Sequence, residues 1–96
     1  MKTIRFNRWD CVASWDRYNN GRQALMLIDA INGDSIAKAS VNLPDEPMAE
    51  NEMAIKNYGE NDGMLDALKA AGIVTNVVRY AQSGFVSIPI CTVAVV

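Results

Sequence analysis

Hydrophobic and polar positions alternate along much of this chain with the two-residue period of half-buried strands. In "CVASWDRY", residues 11–18, Val12, Ser14, Asp16 and Tyr18 fall on one face and Cys11, Ala13, Trp15 and Arg17 on the other. "SIAKASVNL", 35–43, alternates Ile36, Lys38, Ser40 and Asn42 with Ala37, Ala39, Val41 and Leu43. Between them "RQALMLIDAI" is an apolar run bounded by Asn20-Gly21 and Asn32-Gly33. Asn-Gly supplies the positive φ angles of a two-residue hairpin turn. The pattern predicts three antiparallel strands in a meander, near 10–18, 22–30 and 35–43, with a short additional strand near Thr3–Phe6.

Pro44 and Pro47 end the third strand, because proline cannot donate to a ladder. Over 48–58 two readings compete. A helix could begin near Pro47. The favoured alternative is a loop and a short strand, 52–58, with Met53, Ile55 and Asn57 facing one way. The next stretch, "ENDGMLDALKAAGIV", changes period. Met64, Leu65, Leu68 and Ala71 recur at helical spacing and form one apolar stripe, with Asp66 and Lys69 on the wet side. Asn61 is the predicted N-cap, with Asp62 in the first turn. Gly72 suits the left-handed closing residue, with Ile73 folding back on Leu68.

The last segment, "TNVVRYAQSGFVSIPICTVAVV", reads as two strands around Ser83-Gly84. Val77, Arg79 and Ala81 are expected on one face, Val78 and Tyr80 on the other. Pro89 marks its strand as an edge or a bulge. The sum is an α+β fold: a twisted antiparallel sheet of five or six strands with one main helix packed on one face, in a single domain over 1–96.

Composition narrows the function. Half of the residues are apolar, as in a folded domain. No apolar run reaches the roughly 18–20 residues that span a bilayer. Lys2, Arg5, Arg8 and Asp10 interrupt the N-terminal segment, so it lacks a signal-peptide core and the expected location is cytoplasmic. Cys11 and Cys91 are too few for a zinc site by themselves. A disulfide between them would stabilise by about 4 kcal/mol in the chain-entropy model. The favoured reading is two reduced, buried thiols. There is no histidine. That removes the usual general base, the Ser-His and Cys-His pairs, and the commonest metal ligand. No catalytic residue, cofactor or metal is expected, although chemistry by carboxylates alone stays open.

Charge is uneven. Residues 1–22 carry five bases (Lys2, Arg5, Arg8, Arg17, Arg22) against Asp10 and Asp16. Residues 45–66 carry seven acids (Asp45, Glu46, Glu50, Glu52, Glu60, Asp62, Asp66) against Lys56 alone. "ENDGM" does not continue as a calcium loop, and Glu60 and Asp62 would repel phosphate. The acidic run is either a solvated face or a docking surface. Arg5, Arg8, Trp9, Trp15, Arg17, Tyr18 and Arg22 interleave bases with aromatics, a pattern that can bind single strands.

"IKNYGENDGMLDALKAAGIV" followed by "SGFVSIPIC" resembles the domain of unknown function 4313 family, small proteins of bacteria, phages and mobile elements. The specific positions are 55–74 and 83–91. "YNNGRQALMLIDAINGDSIAKASVNL" fits the family's strand-and-turn rhythm more loosely. Gly59 departs from the pattern, where Ser is commoner. The resemblance brings no catalytic residues and implies a gene in an accessory or phage-derived region. The expectation is therefore a non-enzymatic inhibitor of a host defence complex, of the anti-CRISPR or anti-restriction type. Asp45, Glu46, Glu50, Glu52, Glu60 and Asp62 would imitate a nucleic-acid backbone, and no direct nucleic-acid contact is expected. The alternative is a nucleic-acid-binding accessory protein that uses the basic, aromatic half. Either a monomer or a homodimer is compatible, the latter through an edge formed by "CTVAVV".

Overall fold

The computed structural model describes residues 3–94. β1 (Ile4–Phe6), β2 (Trp9–Arg17), β3 (Gln23–Asp29) and β4 (Ser35–Lys38) form the antiparallel meander. β5 (Glu52–Ala54), β6 (Val74–Ser83) and β7 (Val86–Val93) form a second sheet in the order β5-β7-β6. The α+β class and the antiparallel pairing agree with the pattern. Among the described residues the strands number seven in two sheets, not five or six in one.

Just past β4 the chain runs beside the end of β5. Val41 N–H donates to Ala54 O at 3.0 Å and Lys56 N–H to Ala39 O at 2.9 Å, with Ser40 opposite Ile55. This seam joins the two sheets. The helix, α1 (Met64–Ala70), packs against β1 and β6, the outer strands of the two sheets. The main core gathers Ile4, Phe6, Cys11, Leu25 and Leu27 from the first sheet. Met53, Val74 and Cys91 come from the second, and Met64 and Leu68 from α1. Burying each large aliphatic side chain stabilises by about 1.5–3 kcal/mol. A smaller cluster, Ala54, Ala81, Ile88 and Ile90, lies under Val41, Leu43 and Met48.

Several local expectations are corrected. Asn61 is not the N-cap. It lies in a 3-10 turn, Gly59–Asn61, and Gly63 occupies the cap. Asn57 Oδ1 instead accepts from Leu65 N–H at 2.8 Å and satisfies the first turn from outside it. The helix end follows the prediction: Gly72 has φ 74°, Gly72 N–H donates to Lys69 O and Ile73 N–H to Leu68 O. In the two Asn-Gly turns only the glycine takes positive φ, so neither is the two-residue turn expected. Asn20 and Asn32 instead accept locally, from Arg22 N–H and Asp34 N–H. No helix starts at Pro47, and the strand expected over 52–58 shortens to β5.

β7 is the central strand of its sheet, not an edge. Pro89 O accepts from Ile55 N–H at 2.9 Å. In an antiparallel strand a residue's N and C=O point to the same side. The missing donor of Pro89 therefore falls at the last residue of the β5 pairing, where one bond is lost rather than a run broken. The "CTVAVV" edge is likewise excluded over its described residues. Thr92 pairs with Glu52, Val93 with Val74, and Ala94 N–H donates to Ile73 O. Val95 and Val96 lie outside the described residues. Among the described residues no helix is long and apolar enough to cross a membrane.

Candidate functional site

The acidic segment 43–52, a loop that runs into the first residue of β5, is held down by two arginines. Arg22 donates to Leu43 O, to Glu46 O at 2.6 Å and to Met48 Sδ at 3.5 Å. Arg79 pairs with Glu46 at 3.2 Å and Glu52 at 3.3 Å, and donates to Pro47 O. The hydrogen bond to Glu46 is the main reason that the Arg79 guanidinium holds its proton even more firmly than usual.

Arg79 reaches the loop because β6 is bulged. Val77 stands opposite Cys91 and Arg79 opposite the next residue of β7, Ile90. One extra residue on β6 thus separates Val77 and Arg79 onto different faces. Val77 joins the main core, and Arg79 turns toward the acidic loop. The simple alternation, with Val77, Arg79 and Ala81 on one face, fails here for that reason.

The six candidate carboxylates do not share one role. Glu46 and Glu52 are ion-paired, and Glu52 Oε1 also accepts from Ala49 N–H at 2.9 Å. Asp45 and Glu50 are exposed on the same loop. Asp45 borders a cavity shared with Gln82 and Ser83. Glu60 and Asp62 are exposed on a different segment, at the entry to α1. Four of the six side chains are therefore open to a partner, in two separate pairs.

The basic, aromatic set is also dispersed. Arg5 pairs with Asp10 at 3.0 Å, Arg8 stacks over the Trp9 ring at 4.9 Å, and Tyr18 Oη hydrogen-bonds Ser40 Oγ at 2.8 Å. Lys2 lies outside the described residues. Trp15 and Arg17 line a shallow groove of about 520 Å³ with Asp16, Gln23, Val93 and Ala94, and Arg17 also donates to Gly21 O at 2.7 Å.

Cys11 and Cys91 are both free and buried in the main core. Burial pushes the Cys91 thiol up to about 11, with Lys69 opposing weakly. Cys11 is raised by burial, then by Asp29 and Asp10, with Arg5 opposing. Neither is an activated thiolate. Among the described residues no three Cys, Asp or Glu side chains are grouped to hold a metal ion. No protein-family model matches this chain, and no curated protein or solved structure does either.

The organising residue, Arg79, was not singled out from sequence. It is the only charge between Val74 and Ala94, which was the available signal.

Proposed function

We propose that this protein is a non-enzymatic inhibitor of a host defence complex, of the anti-CRISPR or anti-restriction type, and that the 43–52 loop is its docking surface. The observation that carries the reading is the pinning of that loop by Arg22 and Arg79, which leaves Asp45 and Glu50 facing outward. A loop already held in place loses little further freedom on binding. Its free carboxylates can then compete with phosphates for a basic groove. Glu60 and Asp62 supply a second acidic segment. Glu46 and Glu52 serve to hold the loop. The setting in a phage or mobile element rests on the family resemblance alone.

The test is a plating assay with phage on a host that carries an active defence system. Expression of the protein should raise plating efficiency, and the double reversal Asp45→Lys/Glu50→Lys should lower that protection at least about tenfold, or 1.4 kcal/mol of binding. Equal protection by the reversed protein would sink the proposal. A second reading, a nucleic-acid accessory protein, is favoured by Trp15 and Arg17 side by side in their groove. A gel shift with single-stranded DNA separates the two, since the inhibitor reading expects no shift.

A further inference from the structure

We propose that β6 is a self-docking edge, along which two copies of this chain pair antiparallel into one continuous sheet. β6 has a single hydrogen-bonded neighbour, β7. The direction of its free groups follows from the register. Ser83 and Val86 close the hairpin over Gly84 and Phe85, so Ser83, Ala81 and Arg79 turn their N–H and C=O toward β7. Pro89 checks this. Its carbonyl is engaged by Ile55 on the far side, so it forms a non-bonded pair with Tyr80. Tyr80 and Gln82 therefore turn their backbone groups away from the sheet. No described group takes them.

Edges of this kind are normally blunted by lysine, proline or a bulge. The bulge at Val77 covers only the first half of β6. The second half, Arg79–Ser83, has neither device, and its one charge is turned back onto Glu46 and Glu52. The described residues include five exposed large hydrophobic side chains. Three of them, Val78 (44% exposed), Tyr80 (62%) and Phe85 (106%), sit on this strand and its turn.

The occupant that fits is a second copy. Two-fold antiparallel pairing places a strand opposite itself, so any free charge on the edge would face its like across the axis. β6 itself carries none, since Arg79 is paired, and the nearest free charge is Asp45 on the loop beside Gln82 and Ser83. A charged partner strand would instead lose hydration without gaining an opposite charge. With the axis at Ala81, Tyr80 lies opposite Gln82 of the second copy. Each Phe85 then comes beside Val77 and Val78 of the other copy. So short a seam is smaller than a standard interface of roughly 1,600 Å², so weak, reversible association is expected.

Sedimentation velocity on the full chain, over a micromolar concentration series, tests this. The wild type should pass from monomer to dimer. Gln82→Pro removes one outward N–H and leaves the backbone ladder to β7 intact, with loss of the Ser87 Oγ bond to the Gln82 side chain, and Tyr80→Lys places like charges near the axis. Either variant, with unchanged circular dichroism and melting temperature, should stay monomeric at concentrations where the wild type is dimeric. A wild type that is monomeric throughout, or a dimer that survives both substitutions, would overturn the proposal.

Discussion

Asn61 and Ser40 are the buried polar residues among those described. The Asn61 amide donates to Lys38 O at 2.6 Å and to Lys56 O at 3.0 Å, which ties the strand seam to the entry of α1. Asn61→Ala would leave two carbonyls without a donor, and should lower stability by about 1–3 kcal/mol. Urea unfolding measures this, and an unchanged midpoint would count against it. Asn61→Asp should be no better, because a carboxylate has no proton to offer either carbonyl. Cys91 gives a pH dependence. Burial pushes its thiol in the folded chain up to about 11 from an ordinary value of 9.0, so the unfolded chain deprotonates first. The contribution is fully present below pH 9 and disappears as pH rises toward 11. Wild type should therefore lose stability relative to Cys91→Ala across that window. Parallel thermal-melting curves for the two proteins would contradict it.

At the scale of elements, Arg79 links strand to loop. Arg79→Ala removes both ion pairs and the bond to Pro47 O, while Arg22 still holds Leu43 and Glu46. The ion pairs are partly solvated, so the loss in global stability should be small. Local opening of 43–52 should nevertheless rise. A glutamate-specific protease, which has Glu50 as its target in this loop because Pro47 protects Glu46 and Glu52 lies in β5, should cut the variant several-fold faster. An unchanged cleavage rate would mean that Arg22 alone fixes the loop. Much at this scale was legible. The three meander strands, the apolar stripe of α1, its closure at Gly72 and the last hairpin, whose turn falls at Gly84-Phe85, one residue later than expected, follow from periodicity and turn chemistry. The helix start was misread because the capping bond comes from Asn57, outside the local window. Pro89 was read as marking an edge or a bulge, and marks neither on its own strand, because the chain does not say which neighbouring strand will end beside it.

Across the whole molecule, the acidic middle of the chain divides. The sequence places seven acids between 45 and 66 but cannot say which meet a base. Arg79, far along the chain, takes two of them, and leaves Asp45 and Glu50 as the open pair on the loop. Docking by those two should weaken with added salt, because exposed charges are screened within a Debye length of about 8 Å at physiological ionic strength. Any dimer formed through β6 should not weaken with salt, since β6 has no free charge of its own and the nearby Asp45 would face only its like. Salt can thus distinguish the two surfaces on one protein. By itself the sequence determined what depends on neighbours a few residues apart: strand period, helix stripe, turn positions, and the lack of histidine. The tertiary structure alone decided the split into two sheets joined by a seam, the bulge that turns Arg79 to the loop, and the strand left open at the edge. Each of these rests on contacts between residues distant in the chain, where register and packing choose among partners that local patterning leaves equivalent.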